Sequence, residues 1–180
     1  MGVQVYRPDG EVGPAPVGLA PARNVLTGAR IGVLDNGKPN ARLLLARVGE
    51  QLAARTGATL TLVTDKGPGA NAATPCTDPV MARLAEECDV VLTGSADCGS
   101  CTSWSVHDTV QLEHLAVPAV VATTTDFVDL TRRVATGFGL PDVRVAVFPH
   151  PVGGTPDATI LGWADAAVDE VIALLTGPAQ

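Results

Sequence analysis

The chain has 180 residues, of which 46% are hydrophobic and 17% charged. This length suits a single domain, and this composition excludes an intrinsically disordered chain. Lys and Arg number 12 against 19 Asp and Glu, a net charge of −7, so a nucleic-acid or anionic-membrane partner is not expected. The apolar runs are too short to span a membrane, and no signal peptide is visible at the start, so we expect a cytoplasmic protein.

The beginning of the chain differs from the rest. Residues 1–28 are rich in Pro and Gly and show no hydrophobic periodicity, which favours an extended N-terminal arm. Two interpretations stay open, a loosely attached tail or an arm that wraps a neighbouring subunit or borders the active site. Residues 29–180 are expected to form a single α/β domain.

Beyond the arm, short apolar strands alternate with helices. The predicted strands cover residues 30–34, 59–63, 89–92, 119–122 and 143–148. A predicted helix follows each strand in turn: from Pro39 to its end at Gly57, over 79–87 with Asp78 as its cap, from about 103 to 115, from 126 to about 137, and over 157–175. Five buried strands, each followed by a helix, predict a parallel sheet covered on both faces. The expected architecture is a flavodoxin-like three-layer sandwich with strand order 2-1-3-4-5.

This strand order predicts where a ligand binds. The chain changes direction between the first and third strands, and such sheets bind ligands outside the carboxyl ends of the strands at that point. We call the loops along this edge the carboxyl-end rim. The two loops expected to meet there are residues 35–40 (Asp-Asn-Gly-Lys-Pro-Asn) and residues 94–102, the thiol segment (Gly-Ser-Ala-Asp-Cys-Gly-Ser-Cys-Thr).

The thiol segment places two cysteines, Cys98 and Cys101, at a predicted strand-to-helix junction. The amino terminus of a helix carries partial positive charge and unpaired backbone donors, and both favour a thiolate over a thiol. The Cys-x-x-Cys spacing lets one sulfur attack a substrate while the other resolves the resulting adduct. The carboxylate of Asp97 opposes thiolate formation unless it points elsewhere.

Three interpretations of these cysteines compete. They are structural residues, ligands of a zinc site or a reactive thiol pair. A single Cys-x-x-Cys supplies only two of the four zinc ligands, and Cys76 and Cys88 are too far apart in sequence to form a second such pair, although His107, Asp108 or His150 offer other ligands. A loop of Gly and Ser leaves the sulfurs accessible, which favours the reactive pair.

The hexapeptide Asp97-Cys98-Gly99-Ser100-Cys101-Thr102 resembles the Sec-Gly-Ser-Cys (UGSC) family of selenoproteins and their cysteine homologues. Residues 34–40, 105–108 and 149–154 are similar to that family's pattern, so the resemblance covers about residues 30 to 175. More distantly, the Cys-x-x-Cys-Thr element is similar to the selenoprotein B family of glycine, betaine and sarcosine reductase. The resemblance implies that Cys98, at the position of selenocysteine in some members, is the attacking or redox atom and Cys101 its partner. It implies no substrate.

Further candidates lie along the predicted rim. Lys38 is expected either to stabilise a thiolate or bind a substrate carboxylate, or to be an ordinary solvated lysine. His107 and His150 are candidates for general acid–base catalysis. Thr102 is expected to cap the following helix or to donate to an oxyanion. The remaining candidates are expected to bind the substrate: Asp35, Asn36, Asn40, Ser103, Thr124, Gly153 and Gly154.

No glycine-rich phosphate cradle follows the first strand, and three Phe, two Trp and one Tyr offer little to hold a flavin. We therefore expect neither a cofactor nor a metal. The sequence predicts a thiol-dependent enzyme, of reductase or of transferase or lyase type, that acts on a small organic substrate, with a homodimer as the default assembly. The alternatives are a non-catalytic metal-binding or redox-sensing module, and one subunit of a larger reductase-like complex.

Overall fold

Five parallel strands form one sheet in the computed structural model, which describes residues 18–177. The strands are β1 (Arg30–Asp35), β2 (Thr59–Asp65), β3 (Val90–Ala96), β4 (Ala119–Thr124) and β5 (Arg144–Phe148). Their order is β2-β1-β3-β4-β5, and every neighbouring pair is parallel. The predicted α/β class, flavodoxin-like layering and strand order are confirmed.

Within residues 18–177, six helices cover the sheet. They are α1 (Ala41–Thr56), α2 (Asp78–Glu87), α3 (Gly99–His114), α4 (Val128–Gly137), α5 (Asp157–Ala166) and α6 (Val168–Thr176). One face of the sheet, which includes Ile31 and Val33, packs against α1, α5 and α6. The other face, which includes Leu34, Val91 and Val121, packs against α2, α3 and α4. Alternate residues of one strand thus enter opposite cores, as a sheet buried on both faces requires.

The thiol segment is more regular than the sequence predicts. Strand β3 continues through Ala96, and α3 begins at Gly99, so only Asp97 and Cys98 lie outside regular elements. Gly94 and Ser95 are small polar turn formers by composition, but both are buried within the sheet. The prediction of a helix start near residue 103 was wrong, because α3 begins one turn earlier at Gly99, where the Cys98 side chain caps the helix by accepting the Cys101 amide.

Other element ends also differ from the predictions. The residue that precedes α2 is Thr77, not Asp78, which lies in the first turn beside Pro79. A 3-10 turn over Thr125–Phe127 comes before α4. The predicted helix 157–175 is two helices that meet at Ala167, whose amide donates to the carbonyls of both Trp163 and Ala164. No Gly or Pro marks this break in the sequence.

Residues 18–28, the described part of the predicted arm, contain no helix or strand and pack on the domain itself. The amide of Ala20 donates to Glu113 Oε2 (2.6 Å), and Arg144 donates to the Ala20 carbonyl (2.7 Å) and pairs with Glu113. Because Arg144 begins β5 and Glu113 lies near the end of α3, this contact is at the edge opposite the carboxyl-end rim. The rest of the arm, residues 1–17, lies outside the described residues.

No helix within residues 18–177 is both long and apolar enough to cross a membrane.

Candidate functional site

The loops after β1 and β3 meet at the carboxyl-end rim. The backbone amide of Asn36 donates to the Gly94 carbonyl (2.9 Å). The side-chain amide of Asn36 donates to the Ser95 carbonyl (2.8 Å) and to Ser105 Oγ (3.2 Å). The expected meeting of the two loops is therefore present. Asn36 is buried, and its amide hydrogens are used to fasten one loop to the other.

Gly94 permits the close approach of β3 to β4 just before the thiols. Its φ is +142°, and a Cβ at this position would lie 2.9 Å from the carbonyl oxygen of Ala122. Any side chain here would therefore clash with the backbone of the neighbouring strand, which only glycine avoids.

Cys98 is the residue that caps the amino terminus of α3. Its backbone is extended, with φ −162° and ψ 171°, and its Sγ accepts a hydrogen bond from the Cys101 amide (3.4 Å). The hydroxyl of Ser100 lies 3.7 Å from the same sulfur. The Cys98 side chain is partly exposed. A sulfur in this position faces the positive end of the helix dipole, which stabilises a thiolate.

Cys101 lies one turn further and is fully buried. Its sulfur is bonded to that of Cys98, and the two Cα atoms are 5.4 Å apart, within the range that a disulfide spans. Of this pair, Cys98 is the sulfur that an external molecule reaches, whereas Cys101 is protected behind it.

Thr102 and Ser103 lie inside α3 rather than at its cap. The Thr102 hydroxyl donates to the Cys98 carbonyl (2.6 Å), and the Ser103 hydroxyl donates to the Gly99 carbonyl (3.1 Å). The expectation that Thr102 caps the helix was wrong, because the helix starts one turn earlier and the capping position belongs to Cys98.

The carboxylate of Asp97 points toward the segment after β5. Its Oδ1 lies 2.9 Å from His150 Nδ1, and its Oδ2 accepts hydrogen bonds from the amides of Val152 (3.1 Å) and Gly153 (3.2 Å). Thr124 Oγ1 lies 3.1 Å from the same His150 nitrogen. These contacts bring three of the predicted site residues (Thr124, His150 and Gly153) together around Asp97. From the sequence alone, Asp97 was considered only as a charge that disfavours a thiolate.

Asn40 joins this segment to the loop after β1. Its φ of 65° is a left-handed conformation that asparagine tolerates, and its side chain donates to the carbonyls of Val152 (2.9 Å) and Thr155 (2.7 Å). Gly154, also with positive φ, completes the turn. Asn40 and Gly153 thus have protein partners, so the structure gives them a role in holding the rim.

A cavity of about 380 Å³ opens between the loops after β1 and β2 and reaches the thiol segment at Ser100. Its walls include Asp35, Lys38 and Lys66. Burial raises the pKa of the Asp35 carboxyl above its ordinary value, against the hydrogen bond that it accepts from the Gly37 amide. Lys38 is half-buried and also borders a second groove, of about 520 Å³, along α1.

The charge of Lys66 is balanced inside the protein. Its Nζ lies 2.8 Å from Asp108 Oδ2, and both side chains are almost fully buried. Asp108 Oδ1 accepts from the Cys76 amide (2.9 Å). From the sequence, Asp108 was considered as another possible zinc ligand, and Lys66 was missed. The signal that could have identified Lys66 is its position directly after β2, on the same rim.

His107 lies among aromatic residues. Its ring is edge-on to Trp104 (centroids 5.2 Å apart) and to Phe138 (5.6 Å), and its Nδ1 is 3.2 Å from Asp108 Oδ1. Within the described residues, its ring contacts and hydrogen bonds include neither Cys98 nor Cys101. The structure therefore groups His150, and not His107, with the residues that flank the thiols.

Residues 18–177 contain no group of three or more His, Cys, Asp or Glu side chains arranged to hold a metal ion. Cys76 and Cys88 are both buried and free.

Solved structures that are similar to this chain include the following two. One is the translation elongation factor SelB from Methanococcus maripaludis in its apo form, at 14% identity and a TM-score of 0.49, with 85% of this chain and 34% of that chain covered. The other is a diflavin flavoprotein A3 from Nostoc sp., at 15% identity and a TM-score of 0.40, with 79% of this chain and 91% of that chain covered. The chain spans about a third of the length of the elongation factor. No curated protein matches it.

Comparison with family models gives a match to the UGSC family over residues 4–177, nearly the whole chain. The matched region includes the thiol segment and the loops that surround it. The more distant likeness to the selenoprotein B family stays a prediction. With a family match of this extent, the chain belongs to the UGSC family.

Proposed function

We propose that this UGSC-family chain is a thiol-dependent enzyme that acts on a small organic substrate, with Cys98 as the nucleophile and Cys101 as the resolving thiol. The observation that carries this proposal is the position of Cys98. It is partly exposed at the amino terminus of α3, and its sulfur accepts the Cys101 amide (3.4 Å). A backbone donor and the helix dipole both stabilise negative charge on that sulfur.

The reaction that the pair supports best is a two-electron reduction of a sulfur–sulfur bond. The Cys98 thiolate attacks one sulfur of the substrate, forms a mixed disulfide and expels the other sulfur as a thiolate, which takes up a proton. Cys101 then attacks Cys98 Sγ and expels the second substrate thiolate, which takes up the proton that Cys101 loses, leaving the disulfide between Cys98 and Cys101. The substrate gains two electrons, and an external dithiol returns the pair to its reduced form.

The surroundings of the pair suit a small polar substrate. The cavity that reaches Ser100 is lined by Lys38 and Asp35, which offer one positive and one acidic group at its walls. Asp97 is turned toward His150, and the amides of Val152 and Gly153 donate to its carboxylate, so its charge is balanced by protein donors. This orientation removes the objection that the sequence raised against a Cys98 thiolate.

Bis(2-hydroxyethyl) disulfide tests this proposal as a simple substrate. The reduced protein should release two equivalents of 2-mercaptoethanol per chain and lose two hydrogens by mass. Cys98→Ser should release none, whereas Cys101→Ser should stop after one equivalent with half of the probe attached to Cys98. Cys88→Ala is the matched control, because Cys88 is buried away from the thiol segment, and it should react like the wild type.

Repeated turnover separates the enzyme from the alternatives. With dithiothreitol as the reductant, an enzyme accelerates reduction of the probe above the uncatalysed exchange, at a rate that is proportional to protein. A redox-sensing module reacts once and adds nothing to the steady rate. Cys98→Ser protein that reacts as fast as the wild type would contradict the proposal.

A further inference from the structure

We infer that Asp97 is a positioning residue. It holds His150 in the tautomer that carries its proton on Nδ1, and so leaves Nε2 as a proton acceptor on the rim, against the residue that precedes Cys98. The catalytic role of this positioning rests on the proposed thiol chemistry of Cys98, since a base on the rim has a function only if a thiol reacts. The tautomer itself is a property of the structure and is measured without any substrate.

The contact between Asp97 and His150 fixes where the imidazole proton lies. Asp97 Oδ1 is 2.9 Å from Nδ1, and a carboxylate oxygen is only an acceptor. A lone pair on Nδ1 would therefore face a negative oxygen with no hydrogen between them. The proton must lie on Nδ1, which leaves Thr124 Oγ1 (3.1 Å) as a second acceptor for the same N–H.

The other carboxylate oxygen keeps Asp97 in place. Oδ2 accepts the backbone amides of both Val152 and Gly153, so rotation of the carboxylate would break three hydrogen bonds at once. The Asp97 side chain is only 12% exposed, whereas that of His150 is 30% exposed. A fixed carboxylate behind a partly exposed imidazole is the usual arrangement for a base whose tautomer is set by a second residue.

A proton acceptor at this point completes the proposed reaction. Nε2 first takes the proton of the Cys98 thiol, which generates the attacking thiolate, and the ring becomes an imidazolium whose new charge the Asp97 carboxylate stabilises. The same proton then passes to the thiolate that leaves the substrate. The proton is thus conserved over the step, and His150 returns to its starting form.

Asp97→Asn distinguishes positioning from simple fastening of the loop. The asparagine has one oxygen, and two backbone amides compete for it against a single imidazole nitrogen. The oxygen should therefore face Val152 and Gly153, which turns the NH₂ group toward Nδ1. An amide donor there requires a lone pair on Nδ1, so the proton of His150 should move to Nε2.

Nitrogen-15 NMR of the imidazole rings reads this tautomer directly. The chain has three histidines, and His107→Gln and His114→Gln variants assign the signals of His150. The spectra are recorded at about pH 8.5, two units above an ordinary imidazole pKa of about 6.5. We expect a protonated Nδ1 and an unprotonated Nε2 in the wild type, and the reverse in Asp97→Asn. Asn40→Gly loosens the same loop without touching His150 and should keep the wild-type tautomer.

A wild-type His150 that carries its proton on Nε2, or on both nitrogens, overturns the inference even if no variant folds. An unchanged tautomer in Asp97→Asn overturns it as well. With the disulfide probe, Asp97→Asn should react at least tenfold more slowly than the wild type, and an equal rate excludes a part in the reaction. The Cys98→Ser protein should keep the wild-type tautomer, so failure of the thiol proposal and failure of this inference are separate results.

Discussion

The ammonium nitrogen of Lys66 lies 2.8 Å from Oδ2 of Asp108, and both side chains are almost fully buried. Lys66 also donates to the Thr74 carbonyl, and Asp108 accepts the Cys76 amide. The pair therefore ties the loop between β2 and α2 to helix α3. That loop forms one wall of the cavity beside the thiol segment, so the pair holds in place one wall of the candidate site.

Loss of either partner of this buried pair should destabilise the fold strongly. Lys66→Met leaves the Asp108 carboxylate buried without its counter-ion, and the expected loss is about 3–5 kcal/mol in the free energy of unfolding. Urea denaturation followed by circular dichroism measures it. The control is Arg83→Met, which removes the exposed pair with Glu87 and should cost less than about 1 kcal/mol. Equal losses for the two variants would show that the buried pair is not structural.

Gly94→Ala should destabilise the sheet beside the thiols. The new Cβ would lie 2.9 Å from the Ala122 carbonyl oxygen, and a φ of +142° is strained for any residue with a side chain. We expect a loss of more than about 1 kcal/mol in the free energy of unfolding. Gly99→Ala is the matched control, because nothing lies within 4 Å of its Cβ and alanine favours the first turn of α3. A Gly94 variant as stable as the Gly99 variant would contradict the steric account.

The free cysteines predict how stability depends on pH. Burial raises the pKa of the Cys76 thiol to about 12 and that of Cys88 to about 11. An unfolded thiol ionises near pH 8.5, so above that pH the unfolded state holds fewer protons than the folded state. The contribution of the two buried, protonated thiols to the free energy of unfolding is therefore complete below about pH 8.5 and is lost as pH rises through about 11 to 12. Urea midpoints at several alkaline pH values measure the decline.

Cys88→Ala provides the comparison for this pH effect. The variant starts less stable because its core loses packing atoms, but it should lose less further stability than the wild type as pH rises from about 8.5 to 11. Parallel curves for the two proteins would mean that the Cys88 thiol does not titrate with folding.

The sheet could be predicted because its signals are local. Each apolar run lies between turn formers, and the strand order follows from right-handed crossovers, so the meeting of Asn36 with Ser95 at the rim was foreseeable. The start of α3 was not foreseeable, since Gly94, Ser95 and Gly99 are turn formers by type. The burial of Gly94 and Ser95 within the sheet depends on contacts that no local pattern contains, and Gly99 begins α3 although it is exposed.

The side-chain partnerships of the site were harder to predict than its location. The sequence placed His150 and Thr124 on the same rim, but Asp97 and His150 are 53 positions apart in sequence, and no local pattern indicates their contact. Likewise Lys66 follows β2 whereas Asp108 lies within α3, and only the packing of α3 against the sheet brings them together. A carboxylate next to Cys98 predicts an unfavourable charge until the direction of its side chain is known.

The measurement that tests the central claim most directly is limited alkylation of the reduced protein with iodoacetamide over a pH series, read by peptide mapping. We predict that Cys98 reacts first, with a midpoint well below about 8.5, while the buried Cys76 and Cys88 stay unlabelled in the folded chain. Slow and equal labelling of all four cysteines, or a Cys98 midpoint at or above 8.5, would contradict the assignment of Cys98 as an activated nucleophile.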